Sequence, residues 1–166
     1  MPDNILKFSL NRCTSVERLA DNTLRSVCRL QDTFTSAFVE LTARLPDLEV
    51  LEARARFHHE WLKPPDLEEI LSKLPGMRIG PGMLKIIKGL VGEDQEALRQ
   101  VAYMVEECCH AVIISLTKDI LTQAPDSEEE KLEFFSSMVR ENIRLYNRCA
   151  AFAPGSRLVE GIEPDK

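Results

Sequence analysis

Three short stretches of this chain carry side chains able to do chemistry. Cys108-Cys109-His110 sets two thiols beside an imidazole, and a Cys–His set can bind a transition metal or activate a thiolate. His58-His59-Glu60 combines imidazole and carboxylate, which suits general acid–base work or metal binding. Arg78-Ile79-Gly80-Pro81-Gly82 leads toward Lys85 and Lys88. Backbone amides at a helix N-terminus with cations nearby can hold a phosphate or carboxylate.

Each stretch also has an ordinary reading. On a helix Cys108 and His110 point ~200° apart, so they cannot chelate without a ligand from elsewhere. A free cysteine on an apolar stripe is a small core residue, so Cys108 and His110 are only weak metal candidates. Neighbouring histidines on a strand face opposite ways, no third ligand accompanies His58 and His59, and a solvated strand end before Trp61 explains them. Pro81 removes one amide and the glycine spacing is not a P-loop; Gly80 and Gly82 can simply supply turn dihedrals. The residues kept as ligand-binding candidates are His58, His59, Glu60, Arg78, Gly80, Gly82 and Lys85. A further set, Glu40, Arg44, Glu52, Arg54 and Arg56, lies on polar strand faces. Cross-strand charge pairing explains it as a solvated ladder, and an arginine-lined ligand cleft is the functional alternative.

The elements that position these groups follow from periodicity. Leu6, Phe8 and Leu10 alternate with Lys7, Ser9 and Asn11, a half-buried strand pattern. Over 23 to 30, Leu24, Ser26, Cys28 and Leu30 oppose Thr23, Arg25, Val27 and Arg29. Over 36 to 45, Ala37, Val39, Leu41, Ala43 and Leu45 share one face; Phe38, Glu40, Thr42 and Arg44 share the other. Pro46-Asp47 marks a turn. Leu51, Ala53, Ala55 and Phe57 then oppose Val50, Glu52, Arg54 and Arg56, which predicts a hairpin over 36–57 with Val39, Leu41, Leu51, Ala53 and Phe57 inward. Leu48, Leu51, Ala55, His58 and Leu62 also fit helical spacing; the alternation favours strand.

After Trp61 the pattern becomes helical. Pro64-Pro65 breaks the preceding element, Asp66 caps a short helix through Leu74, and Pro75-Gly76 ends it. Gly80-Pro81-Gly82 opens a second helix with Met83, Ile86, Ile87 and Leu90 as its apolar stripe, ending near Gly92. A third runs from Asp94 to Gln123, with Leu98, Val101, Val105, Cys108, Val112, Ser115 and Leu116 buried. Ser127 to Glu130 is a capping-box start for a fourth, extending to Cys149. That helix shows two stripes: Leu132, Phe135, Val139, Ile143 and Tyr146; and Phe134, Met138, Leu145 and Cys149. One stripe of ~100° suffices for a single core, so the surplus points to a homodimer through the Ser127–Cys149 helix.

Composition bounds the function. The chain has 166 residues, 44% hydrophobic and 29% charged, a globular mixture of single-domain size. With 21 Lys plus Arg against 27 Asp plus Glu the net charge is -6, which argues against a phosphate-backbone binder and so against a nucleic-acid partner. Ala111 to Leu116 is the longest strongly apolar run, far short of the ~20 residues a membrane span needs. No basic segment followed by an apolar run opens the chain. The five cysteines include no C-x-x-C pair, and reduced thiols in the cytoplasm are the expectation.

From Phe38 to Gly92 the chain resembles the bacterial family known as domain of unknown function 2889. The resemblance lies in Phe38-Val39-Glu40-Leu41-Thr42 with Leu48-Glu49-Val50 and Glu52-Ala53, in Leu74-Pro75-Gly76-Met77-Arg78-Ile79-Gly80-Pro81-Gly82-Met83, and in Gly89 to Gly92 at a Gly-rich helix end. It implies strands over 36–57 and no particular activity. Two departures bear on chemistry. The family's Cys-Pro is Pro64-Pro65 here. Its Gly-Cys-Thr-His-Leu segment falls, without gaps, on Glu96-Ala97-Leu98-Arg99-Gln100; an insertion of about three helical turns would instead bring Cys108-Cys109-His110 onto it. The ungapped alignment is the more economical, and it removes the family's cysteine and histidine.

The expected architecture is α+β: about four antiparallel strands in the N-terminal third packed on a layer of about four helices. Residues 1–152 form one domain and 153–166 an irregular tail. The expected function is a cytoplasmic, non-enzymatic accessory protein, without a cofactor, that binds a small ligand or partner in the sheet–helix crevice or on the last helix. The alternative is a small metal- or thiol-dependent enzyme whose site draws on His58, His59, Arg78 and Cys108, which requires those four to converge.

Overall fold

The computed structural model describes residues 7–19, 21–61, 66–80, 82–89, 96–141, 143–147 and 149–162. The chain divides into two compact units, Met1–Thr117 and Lys118–Lys166.

The first unit is built on four strands: β1 (Leu10–Arg18), β2 (Thr23–Asp32), β3 (Thr35–Arg44) and β4 (Glu49–His59). They form one antiparallel sheet in the order β1-β2-β3-β4. The turn between β2 and β3 is closed by Asp32, whose Oδ1 accepts from the amides of Phe34 and Thr35, both at 2.7 Å. Short side-chain acceptors of this kind are what make Asp a turn residue. Among the described residues three helices accompany the sheet: α1 (Leu67–Leu71), α2 (Met83–Gly89) and α3 (Glu96–Leu121). The last residues of α3, from Lys118, belong to the second unit.

Alternation assigns the sheet's two faces as expected for β2 and β3. Leu24, Ser26, Cys28, Leu30, Ala37, Val39, Leu41 and Ala43 are all buried. α3 lies on this face. Ser26 Oγ donates to the Cys108 carbonyl at 2.9 Å, and the Cys108 thiol donates to the Val39 carbonyl at 3.7 Å. Leu98, Val101, Met104, Val105, Cys108 and Val112 supply the helix side of the core. This is an α+β unit in which a sheet buries one face against helices; on the other face Thr23 and Val27 are buried as well, while Arg29, Ser36, Arg54 and Arg56 are exposed.

Several local expectations need correction. The first strand does not run over 6–11: residues 7–9 lie outside any strand and β1 begins at Leu10. β1 is an edge strand with little burial, so its register follows from pairing with β2 rather than from its own hydrophobic pattern. Leu51 is not inward. The β3–β4 register shifts between Thr42 and Ala43, so that Thr42 faces Glu52 and Ala43 faces Val50. Leu51 is the extra residue of this β-bulge and is 40% exposed, whereas Val50 is buried. A bulge inserts one residue and swaps the faces on either side of it. The remainder of the hairpin stands as expected, with Val39 and Leu41 buried and Ala53 and Phe57 packed partly against the core.

α1 starts at its Asp66 cap, which accepts from the Glu68 amide, but ends at Leu71 rather than Leu74. The chain then turns to Gly76 (φ 85°) and lies along β4. Gly76 N–H donates to the Val50 carbonyl at 2.8 Å, Val50 N–H to Met77 at 2.7 Å, and Ile79 N–H to Leu48 at 2.9 Å. The Gly76–Ile79 segment thus covers the free edge of β4 at its start. In α2, Met83 and Ile87 are buried but Ile86 is 50% exposed: seven residues are too few for more than one contact line. α3 ends at Leu121, not Gln123; Ser115 and Leu116 in it are only half-buried. Leu6, Leu62, Pro64-Pro65, Leu90, Gly92 and Asp94 lie outside the described residues.

In the second unit α4 (Glu128–Glu141) begins as a capping box. The Glu130 amide donates to Ser127 Oγ at 3.2 Å, and that hydroxyl donates to Glu130 Oε2 at 2.8 Å. The helix does not reach Cys149. It ends at Glu141, and single 3-10 turns follow at Ile143–Leu145, Ala150–Phe152 and Arg157–Val159. The last of these lies against α4, with Val139 and Val159 both buried. Residues 153–162 therefore include a 3-10 turn with a buried anchor. Leu132, Phe134, Phe135 and Met138 are half-buried, and Ile143 is 41% exposed.

Candidate functional site

The sheet's open face is a lattice fixed by the antiparallel register. Its rows read Asn11–Gln31–Ser36–His58, Cys13–Arg29–Phe38–Arg56, Ser15–Val27–Glu40–Arg54 and Glu17–Arg25–Thr42–Glu52. Between β3 and β4 this face sinks into a depression of about 480 Å³ lined by Ser36, Phe38, Glu40, Arg54 and Arg56. That volume is within the range of small-molecule sites.

The charges around it are unevenly paired. Glu17 pairs with Arg25 at 2.7 Å, and Arg25 holds the Glu17 carboxyl below its ordinary range through that hydrogen bond. Arg44 pairs with Glu49 at 2.5 Å. Arg54 is the direct cross-strand partner of Glu40, but its guanidinium turns along its own strand to Glu52, Nη2 at 2.7 Å and Nε at 2.8 Å. Glu40 is therefore left with neither hydrogen bond nor ion pair among the described residues, and so is Arg56. Between them on the lattice sits Phe38, half-buried, with the Arg29 guanidinium 5.5 Å from its ring centroid. Arg29 approaches the ring as a cation approaches a π face. The arrangement offers one free carboxylate, one free guanidinium and an apolar ring in one open depression.

The residues singled out from the sequence are distributed otherwise. His58 lies opposite Ser36 at the rim of this depression and is exposed. His59 faces the other side, opposite Thr35, and its Nδ1 accepts from the Trp61 amide at 3.1 Å. Trp61 packs on Phe34 with centroids 4.3 Å apart and the rings tilted by 39°, so this imidazole helps hold the strand end. Glu60 is exposed and its amide donates to the Phe34 carbonyl. Arg78 bridges Glu49 at the opposite end of β4. Nine strand steps at ~3.3 Å separate Glu49 from His58, about 30 Å.

The Gly80–Lys85 segment is occupied by its own hydrogen bonds. The Met83 amide donates to the Gly80 carbonyl and the Lys85 amide to Gly82. Gly82 takes φ 90°, so its glycine serves the turn. Lys85 is exposed.

Cys108 and Cys109 are buried, and burial pushes both thiols up to about 12. Thiolate chemistry needs the opposite shift. His110 is exposed on the far side of the helix. Among the described residues no three His, Cys, Asp or Glu side chains gather as a metal site would require. His58 and His59, Arg78, and Cys108 thus occupy three separate places. The sheet–helix interface is no crevice at its centre either, since Val39, Val101, Val105, Cys108 and Val112 fill it at 0–1% exposure.

The sequence signal for the depression was a phenylalanine in the polar set Phe38, Glu40, Thr42 and Arg44. The missing information was which charges pair, because a ladder and a cleft share one pattern. Comparison of the chain with protein-family models, curated proteins and solved structures finds no match.

Proposed function

We propose that this chain is a non-enzymatic, small-ligand-binding accessory protein whose site is the open face of the sheet around Phe38. The observation that carries the reading is the pair of unpartnered opposite charges, Glu40 and Arg56, flanking a ring in one depression. Ligand sites combine an apolar surface with a few placed polar groups; here Phe38 is the one large apolar side chain in a lining otherwise dominated by Ser36, Glu40, Arg54 and Arg56. The separation of His58, Arg78 and Cys108 weighs against a single catalytic pocket built from them. The bacterial, cytoplasmic setting and the likeness to the domain of unknown function 2889 family belong to this reading as expectations. So does self-association through α4, supported by the half-buried Phe134, Phe135 and Met138 and by exposed Ile143.

The test is amide-shift mapping by NMR on the intact chain, with acetate, benzoate, benzylamine, glycine and phenylalanine as probes. Shifts centred on Phe38, Glu40, Arg54 and Arg56 for at least one probe are expected. Shifts confined to other surfaces, or none at millimolar probe, would overturn the reading.

A further inference from the structure

The lattice of the open face says more about what the ligand is. In an antiparallel sheet, Glu40 and Arg54 stand directly opposite one another, where opposite charges normally pair. Here Arg54 is committed to Glu52, and Arg25, the other cation whose charge Glu40 feels, is committed to Glu17. Arg56 sits diagonally from Glu40 on the neighbouring strand, and diagonal Cβ atoms are about 7–8 Å apart. Long side chains can span that distance, yet no hydrogen bond or ion pair joins Glu40 and Arg56 among the described residues, which leaves both available to a small molecule with an anion at one end and a cation at the other. Phe38 and Arg54 occupy the other two corners of the same square, the latter with its guanidinium drawn toward Glu52.

We infer that the open-face site takes a zwitterionic amino compound: a free amino acid with an apolar side chain. Its carboxylate meets the Arg56 guanidinium, which suits planar bidentate recognition. Its ammonium meets the Glu40 carboxylate. Its side chain packs against Phe38, which also carries the Arg29 guanidinium 5.5 Å from its centroid. A simple anion would use Arg56 and leave Glu40 facing it unfavourably, and a simple amine would do the reverse. The site's two charges of opposite sign therefore select against singly charged ligands. This inference rests on the open-face reading proposed above.

Calorimetric titration of the intact chain decides it, with L-phenylalanine, N-acetyl-L-phenylalanine and L-phenylalanine amide as probes. The first carries both charges and each of the others only one. The expected result is that free phenylalanine binds at least about tenfold more tightly than either capped form, a factor worth ~1.4 kcal/mol. E40Q should remove the advantage over the N-acetyl form while leaving N-acetyl-phenylalanine binding unweakened. R56Q should remove the advantage over the amide. Both positions are at the surface of the sheet, and a thermal melt matching the unsubstituted chain shows that each variant is folded. Equal binding of free and capped forms at the open face would overturn the zwitterion inference and leave the ligand site standing. Absence of binding by every probe there would overturn both.

Discussion

At the scale of single residues, burial governs the chemistry of the thiols. Cys28, Cys108 and Cys109 lie within the core, while Cys13 and Cys149 are exposed. Desolvation raises the Cys28 thiol and pushes Cys108 and Cys109 to about 12, because a thiolate loses its hydration there. At neutral pH the buried pair is almost entirely protonated and closed to reagents. Mass spectrometry after brief treatment with a neutral maleimide should show modification at Cys13 and Cys149 first, and at all five positions only in denaturant. Rapid native labelling of Cys108 would show that the α3–sheet contact opens readily.

Asp32 gives the second residue-scale prediction. Its partial burial pushes the carboxyl up, but the amides of Phe34 and Thr35 and the Thr35 hydroxyl pull it down and prevail. A carboxylate held below its unfolded value stabilises the fold fully above that unfolded value, near about 3.9. The contribution is lost as pH falls through the folded value. D32A should cost about 1 kcal/mol at pH 7, the ordinary net worth of such hydrogen bonds, and less at pH 3. Urea melts at the two pH values measure the difference, and an equal or larger cost at pH 3 would contradict it.

At the scale of elements, the β3–β4 pair shows how one extra residue redirects a strand. Before the bulge Val50 is buried; after it Ala53, Ala55 and Phe57 turn toward the core while Leu51 stays out. L41A removes a fully buried side chain (1% exposed) and should destabilise by about 2–5 kcal/mol. L51A, the same chemical change at 40% exposure, should cost under about 1 kcal/mol. Chemical denaturation of both variants tests the bulge, and equal costs would place Leu51 in the core. The Gly76–Ile79 segment belongs to the same region. It satisfies the backbone groups of Leu48 and Val50 that an edge strand would otherwise expose, a common way to protect an edge.

At the scale of the whole molecule, the chain holds two units of different character. The first has a layered core between sheet and helices. The second has α4 with a 3-10 turn against it, and its helix buries only Ser136 and Val139 fully. A helix that leaves Phe134, Phe135 and Met138 half-covered retains apolar surface of the kind that marks association. Light scattering at micromolar concentration should give twice the monomer mass, and F134E should return it to the monomer value. A monomer mass for the unsubstituted chain would reject self-association. Among the described residues no helix is long and apolar enough to cross a membrane.

Local pattern alone determined the class of β2, β3 and β4 and of the helices. Alternation marked β2, β3 and β4; Asp66 marked the start of α1, and Ser127 with Glu130 marked the start of α4, because faces and caps are written within a few residues of one another. The inward set on β2 and β3 was legible for the same reason. The bulge at Leu51, the starting point of β1 and the end of α4 at Glu141 were not. The first two depend on a partner distant in sequence: the β3 register and the β2 pairing. The site divided likewise. The residues Phe38, Glu40, Arg54 and Arg56 stood together on one strand face from pattern alone, but a ladder of paired charges and a cleft with free ones look identical in sequence. Only the folded arrangement, in which Arg54 chooses Glu52 over Glu40, leaves Glu40 and Arg56 unpartnered. That choice rests on side-chain geometry across a sheet, which no one-dimensional spacing contains.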